Sequence, residues 1–339
     1  MVMTWYAILS FTLTGFILLE GFDIGAGILL YVVGKTDSQR RSVIDAIGPL
    51  WSWNEVWLIS FGGILFLAFP AILASSFAGF YLALCLLLWM LLLRGISIEA
   101  SAHLNDPLWA TAWNTCLVAS NLMLAILIGA ALGNILRGVP IGAEGTFALS
   151  LFTSFSPRGN VGILDWYTLS TAIFIVVTFM AHGATVLMRK TKGPVRARCA
   201  RLAPLLWKCA VSVLVIVTLE SYLLHADLIT RPFAEPFGWV GLACIGFGLL
   251  NLARGLGNGV DTQASIGSYA LLAGLMIVGA TAVFPSVLRS TISPQYSLSV
   301  YKCAADGHGL AIGLLWWPFA MVLSFAYFLF VYHNYRSKA

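Results

Sequence analysis

The chain is a series of long apolar runs separated by short polar stretches. Nine runs are long enough to cross a membrane at about 20 residues per helix, and they lie near residues 6–33, 52–72, 76–96, 113–136, 162–188, 204–226, 236–253, 266–287 and 305–332. The longest polar stretch covers about 137–161. This pattern predicts an all-α integral membrane protein with nine transmembrane helices, in which residues 1–339 form a single polytopic membrane domain.

Composition agrees with the pattern. The chain is 60% hydrophobic and 10% charged, whereas a soluble domain carries about 25% charged residues. The first run has no basic leader and is too long for a signal-peptide core, so we interpret it as a retained helix. The six cysteines follow no metal-ligand or disulfide spacing, which predicts that they pack as small hydrophobic residues.

Basic residues are distributed unevenly between the two sides of the membrane. With the N-terminus outside, fourteen Lys and Arg fall on the cytoplasmic side and five on the outer side. This asymmetry predicts an outer N-terminus and a cytoplasmic C-terminus. The predicted loop 189–208 carries half of the cytoplasmic set, so the net charge of +5 reports orientation. An anionic-lipid or nucleic-acid patch is the weaker interpretation of that loop.

Acidic residues inside the first run are the first candidates for chemistry, because a charge at mid-membrane costs roughly 2.5–3.5 kcal/mol. Glu20 and Asp23 are three residues apart and share one helix face. Gly21 and Gly25 are spaced for the close approach of another helix. Helix packing would account for the glycines but not for the acids, so we expect the two carboxyls to be functional.

Four further polar side chains lie at or just beyond the ends of the next runs. Asn54 and Glu55 begin the second run among three tryptophans. An aromatic belt would explain the tryptophans, but a carboxylate at this position needs a cation, a proton or water. Arg94 ends the third run, and Glu99 follows it. An arginine at a helix end often extends to the interface, but this guanidinium could also pair with an acid of the first run.

The histidines and glycines give no cofactor motif. The five histidines (His103, His182, His225, His308 and His333) share no i, i+4 spacing on one helix, and no HExxH sequence is present. Single histidines on different helices can still bind haem, but a satisfied or interfacial histidine is the better interpretation of each. The glycines of 255–261 follow no strand and are interpreted as a loop.

Four segments carry a resemblance to a known family. They are EGFDIGAGIL at 20–29, IGPLWSWNEVWLISFGGILFLAFP at 47–70, FAGFYLALCLLLWMLLLRG at 77–95 and GNILRGVP at 133–140. Together and in this order they resemble subunit II of cytochrome bd-type quinol oxidases. After residue 140 the resemblance rests on GATVLMRKTKG at 183–193, on VFP at 283–285 and on the number of spans.

The resemblance implies an architecture and a partner. The fold would be two four-helix bundles plus one additional helix, in the bacterial inner membrane. A homologous subunit I would complete a heterodimer, carry haems b and d and oxidise quinol, so that no catalytic residue is expected in this chain. The resemblance leaves room for a bound quinone or lipid and for small accessory membrane subunits.

The resemblance also implies a role for the intramembrane acids. Glu20 and Asp23 are similar to residues assigned in that family to proton uptake from the cytoplasm for the reduction of O2 to water. Arg94 and Glu99 match an arginine and an acid of the family. This chain departs from the pattern at Ser52, where some members carry an acid. Glu55 stands where those members have an amide, and we expect it to substitute.

The proton-path candidates are therefore Glu20, Asp23, Glu55, Arg94 and Glu99. Two other functions remain open at this point. A proton- or sodium-coupled secondary transporter would also need intramembrane acids, although no repeat of the first four runs in the next four is visible. A haem-bearing membrane cytochrome would instead use the single histidines as ligands.

Overall fold

A computed structural model describes residues 1–48, 51–101, 103 and 106–336. Two parts of the patterns above lie outside these residues: Pro49 and Leu50 of the second family-like segment, and Lys338, which was counted among the cytoplasmic basic residues. The described helices are α1 (Val2–Ile28), α2 (Leu30–Val33), α3 (Asp37–Ile47), α4 (Trp51–Ala68), α5 (Pro70–Gly79), α6 (Tyr81–Ala100), α7 (Pro107–Arg137), α8 (Trp166–Lys190), α9 (Gly193–Leu224), α10 (Asp227–Ala234), α11 (Pro236–Asn258), α12 (Asp261–Val283) and α13 (Gly307–Arg336).

The all-α membrane fold is confirmed. Among the described residues, eight helices are long and apolar enough to cross a membrane, and the count reaches nine if α3 and α4, bent by 41°, form one span. The one sheet found in this part of the chain is a short antiparallel pair, β1 (Ser286–Leu288) and β2 (Leu298–Ser299). It lies in the connection between α12 and α13.

The predicted boundary between the second and third runs is wrong. Residues 73–75, placed between two spans, are helical and belong to α5. The helix breaks instead at Phe69 and again at Phe80. Pro70 explains the first break, because proline has no N–H to donate within a continuing helix but fits the first turn of a new one.

Two segments interpreted as loops are largely helical. Most of the basic stretch 189–208 belongs to α8 and α9, which leaves a connection of two residues. At 32 residues, α9 is about 48 Å long and exceeds the roughly 30 Å hydrocarbon core, so its basic first turns extend beyond the bilayer. In the stretch 255–261, α11 continues to Asn258 and ends where Gly259 adopts a φ of 69°.

The long helices pack in two sets. In the first set, α1 contacts α4 and α7, and α7 contacts α6. In the second set, α8 contacts α9 and α12, and α11 contacts the same two helices. The sets meet where α8 packs against α1 and α7, and α13 lies against α4. The grouping into two four-helix bundles plus one helix requires α3 and α4 to be one span and stays a prediction.

Glycines allow the two sets to meet closely. A Cβ atom on Gly183 of α8 would come 2.6 Å from the backbone nitrogen of Ala26 in α1. On the α1 side, the ring of Phe179 lies over Gly21, and the backbone of α8 passes directly over Gly25. The predicted glycine face is therefore present, and α8 is the helix that approaches it.

α3 is an amphipathic helix that directly precedes α4, and the apolar runs do not predict it. Thr36 caps its N-terminus, and Val43, Ile44 and Ile47 bury its apolar face. Its polar side is tied to α9, since Arg198 donates to the side-chain oxygen of Gln39 at 2.6 Å.

The orientation of the chain leads to a labelling prediction. Lys192 and Glu144 are both exposed and lie on opposite sides of the predicted topology. In a variant lacking the six native cysteines, Glu144→Cys should react with a membrane-impermeant maleimide in intact cells. Lys192→Cys should react only after permeabilisation. The reverse pattern would invert the orientation and place the acids of α1 away from the cytoplasm.

Candidate functional site

Three helices bring four charged side chains into one buried cluster. The guanidinium of Arg94, on α6, forms an ion pair with Glu20 of α1. Its Nη1 lies 3.3 Å from Oε1 of Glu55 on α4, and its Nη2 lies 3.5 Å from Oδ2 of Asp23. We call Glu20, Asp23, Glu55 and Arg94 the acid cluster. The predicted pairing of Arg94 with the acids of the first helix is present.

Helix periodicity explains why these side chains point inwards. Glu20 and Asp23 are 0% and 1% exposed and occupy one face of α1. Arg94 is completely buried, whereas Leu92 and Ile96, on the other face of α6, are exposed. An arginine on the lipid face would have to desolvate its charge alone, so the burial of Arg94 depends on its acidic partners.

Asn54 completes the wall of the cluster. Its Nδ2 donates to Oδ2 of Asp23 at 2.7 Å. Three buried atoms of the cluster nevertheless have no hydrogen-bond partner among the protein atoms: Oε2 of Glu20, Oδ1 of Asp23 and Nε of Arg94. A buried polar atom normally finds a partner because an unmade hydrogen bond is costly. The two carboxylate oxygens can accept a proton or a hydrogen bond from water, and the N–H of Arg94 can donate to water.

The cluster contains more acid than base. If every group were ionised, three carboxylates and one guanidinium would give a charge of −3 + 1 = −2. A net charge of that size inside the membrane is very unfavourable. Carboxyls that share one cation also ionise in successive, coupled steps. Chemically, the arrangement can hold protons and release them one at a time.

Two other residues of the prediction lie outside the cluster. Glu99 is exposed, and the indole Nε1 of Trp51 donates to its Oε1 at 3.4 Å. Ser52 is exposed, whereas Glu55 reaches Arg94. Four of the five predicted proton-path residues are thus in direct contact, and the acid on α4 is at position 55.

A second buried ion pair, at the opposite end of the bundle, was missed. Arg137 ends α7 and pairs with Asp165, the residue that caps α8. The remaining donors of Arg137 reach the carbonyl oxygens of Gly162 at 2.8 Å and Gly138 at 3.1 Å, and Oδ1 of Asn134 at 2.6 Å. This pair is balanced in charge and fully hydrogen-bonded. The distribution of basic residues places Arg137 among the five on the outer side and does not predict this pair. An acid at the start of the following helix is the available signal.

The histidines are engaged or exposed. Nε2 of His182 lies 3.2 Å from the carbonyl oxygen of Leu18, and its Nδ1 lies 3.0 Å from Oγ of Ser268. Nε2 of His225 lies 2.8 Å from the carbonyl oxygen of Arg137. The described residues contain no group of three or more His, Cys, Asp or Glu side chains that could hold a metal ion. The other three histidines, His103, His308 and His333, are exposed.

Comparison with known families identifies the class of protein. The family model described as cytochrome bd terminal oxidase subunit II matches residues 1–335. This chain belongs to that family. It is therefore a subunit of a quinol oxidase, an oxidoreductase complex of the respiratory chain, and the resemblance seen in the sequence is confirmed.

Curated relatives agree with this assignment. The chain is 29% identical to a probable cytochrome oxidase subunit 2 of Haemophilus influenzae, over 97% of this chain and 92% of the relative. It is 30% identical to the cytochrome bd-I ubiquinol oxidase subunit 2 of Escherichia coli K12, over 66% and 59%. It is also 26% identical to the cytochrome bd ubiquinol oxidase subunit 2 of Bacillus subtilis, over 91% and 88%.

A solved structure shares the fold. A chain in the structure of the bd oxidase from Geobacillus thermodenitrificans superposes with a TM-score of 0.71, at 18% identity, over 97% of this chain and 98% of that one. The likeness therefore extends along both chains, including the helices that carry the acid cluster.

The two buried arginine sites should respond differently to loss of an acid. Asp165→Asn leaves Arg137 without its counter-ion and removes one partner of a balanced pair, which costs about 3–5 kcal/mol. Glu55→Gln removes a carboxylate from a cluster that has a surplus. In thermal unfolding of the detergent-solubilised complex, Asp165→Asn should lower the midpoint clearly more than Glu55→Gln does. Equal losses would contradict the distinction between a structural pair and a protonatable cluster.

Proposed function

We propose that this chain carries protons from the cytoplasm, through the acid cluster, towards the site at which a partner subunit I reduces O2. Reduction of one O2 to two waters consumes four electrons, supplied by two quinols, and four protons. The observation that supports this role is the sharing of one buried guanidinium by three carboxyls. Full ionisation of such a group is very unfavourable in a bilayer, so at least one carboxyl would hold a proton that it can release.

The contacts of each acid suggest a separate role. Glu20 is completely buried in its ion pair with Arg94 and acts as the permanent counter-ion. Asp23 accepts from Asn54 and faces Arg94 more loosely, so it can alternate between charged and neutral forms. The side chain of Glu55 is 23% exposed, the largest exposure in the cluster. It is therefore best placed to pass a proton beyond this chain.

Haems b and d are proposed to reside in subunit I. Supporting this, both ring nitrogens of the buried His182 already have protein partners, so that ring is not free to bind an iron. The haems would supply the electron transfer and O2 chemistry, and the residues of this chain would only hold and move protons. Quinol would be oxidised in the partner. A bound quinone, a structural lipid and accessory subunits remain predictions for this chain.

The proposed path begins on the cytoplasmic side of the inner membrane, with the N-terminus outside. Glu99 would be its entry, because it is exposed at the end of α6 that carries Arg94. The sodium- or proton-coupled transporter considered above has no separate observation in its favour, and family membership accounts for the intramembrane acids.

Amide substitutions test the proton role. A glutamine or asparagine keeps the shape of the acid but cannot ionise, so Glu20→Gln, Asp23→Asn and the double variant should each slow quinol-driven oxygen uptake per haem by at least about tenfold. Glu220→Gln is the matched control, since Glu220 is a partly buried acid of α9 that bonds Ser170 away from the cluster. It should keep close to the wild-type rate.

Wild-type turnover in all three cluster variants, with normal haem content, would show that the acids are structural and end the proposal. Arg94→Gln removes the only cation of the cluster and should lower assembly as well as turnover. Because assembly is measured by haem content, the two effects can be separated.

Expression of this chain alone tests the division of labour. Without subunit I, it should reach the membrane, bind no haem and show no Soret band, and it should unfold at a lower temperature than in the complex. Stoichiometric haem in the purified lone chain would overturn the assignment of both haems to the partner and favour the cytochrome interpretation.

A further inference from the structure

We propose that Trp51 is a gate: its indole ring closes the passage between the exposed acid Glu99 and the buried acid cluster, and it must move for a proton to enter. This inference rests on the proposed function, since it assigns a positioning residue to the same path. It is carried by the contacts of the ring with α6.

The indole ring of Trp51 packs against α6 at Gly95. A Cβ atom on Gly95 would come 2.7 Å from Cη2 and 2.9 Å from Cζ3 of Trp51. Real Cβ atoms do not approach carbon so closely, so only glycine lets the indole rest on the helix backbone here. Gly95 directly follows Arg94 in the sequence, so the ring lies beside the point at which the Arg94 side chain leaves α6.

The other edge of the ring points outwards. Its Nε1 donates to Oε1 of Glu99 at 3.4 Å. Glu99 is one helical turn beyond Gly95, and Glu55 is one turn beyond Trp51 on α4. Along α6 the order is the exposed acid Glu99, then Gly95 beneath the indole, then Arg94 of the acid cluster. The ring therefore lies between Glu99 and the acid cluster.

The neighbouring tryptophans have different surroundings. Trp53 stacks on Phe328 of α13, with ring centroids 5.2 Å apart. Trp57 meets the edge of Phe11 at 5.7 Å and also rests on a glycine, since a Cβ atom on Gly15 of α1 would come 2.5 Å from its ring. Trp53 and Trp57 pack against other aromatic rings, as residues of an aromatic belt or a helix interface do. Trp51 differs from them in that its N–H donates to an exposed acid, which places its ring at the edge of the polar site.

The chemistry of indole makes this position restrictive. Its N–H donates but accepts no proton, so the ring cannot relay one. A proton on Glu99 reaches the acid cluster only if the ring swings away from Gly95, and that movement breaks the hydrogen bond to Glu99. The gate thus keeps the acid cluster from exchanging freely with bulk water between turnovers.

Cysteine accessibility in the assembled oxidase tests the gate without relying on turnover. In a variant whose six native cysteines are replaced, Glu55→Cys serves as the reporter in membrane vesicles. A small charged methanethiosulfonate is added on the cytoplasmic side, and the modification rate is measured. With Trp51 present the reaction should be slow. With Trp51→Ala it should be at least tenfold faster, and with Trp51→Phe, which keeps a ring over Gly95, it should stay slow.

Two further variants serve as controls for this experiment. Trp113→Ala removes a tryptophan of α7 that packs against Trp109, and it should leave the modification rate unchanged. Gly95→Ala places a methyl group where the indole rests and should accelerate modification with Trp51 intact. If Glu55→Cys does not assemble, Asn54→Cys, beside Asp23, replaces it as reporter.

Equal modification rates with tryptophan and alanine at position 51 would overturn the gate while leaving the proton path intact. If Trp51→Ala speeds modification while the amide variants keep wild-type turnover, the indole does cover the acid cluster, but the proton path is rejected. The two failures are therefore distinguishable.

Discussion

The burial of Arg94 is the constraint on which the surrounding structure depends. A guanidinium stays charged and cannot be buried in a membrane protein without acidic partners. Its partners come from α1 and α4, so these two helices must present Glu20, Asp23 and Glu55 to the same face of α6. The ion pairs thereby fix how three helices are rotated against one another. The acids that pair with the arginine also exceed it in number, and the proposed proton transfer rests on this surplus.

The pair of Arg137 and Asp165 shows what the same interaction looks like when it is structural. It has one acid for one base, a helix cap in the same carboxylate, and a protein acceptor for each donor of the guanidinium. It joins the end of α7 to the start of α8. One buried arginine therefore joins two helix ends in a balanced pair, and the other lies among three acids, for which we propose a role in holding exchangeable protons.

Family membership identifies the reaction of the whole complex. The contacts of the buried side chains indicate what this chain can contribute to that reaction. Subunits of a quinol oxidase need not all carry electrons. Here His182 and His225 are hydrogen-bonded to backbone and hydroxyl groups, whereas Glu20 and Asp23 each keep one carboxylate oxygen without a protein partner. These contacts support the proposed role of the carboxyls in proton transfer. The indole of Trp51, placed between the exposed and the buried acids, would determine when those protons enter.

The sequence by itself determined the features that depend on local pattern. Apolar runs predict membrane helices because each helix satisfies its own backbone hydrogen bonds, and the spacing of Glu20 and Asp23 places them on one face whatever surrounds them. The family segments added the expectation that Arg94 and Glu55 belong with these acids.

Only the tertiary structure decided which surfaces meet. The break at Phe69, the helical form of the basic segment 189–208 and the amphipathic α3 were missed, because turn placement and helix docking depend on neighbours distant in the sequence. The burial of Arg137 and the seat of Trp51 on Gly95 were equally hidden. An arginine at a helix end or a tryptophan at an interface has the same local pattern whether it faces lipid or another helix, and the partner helix alone settles which.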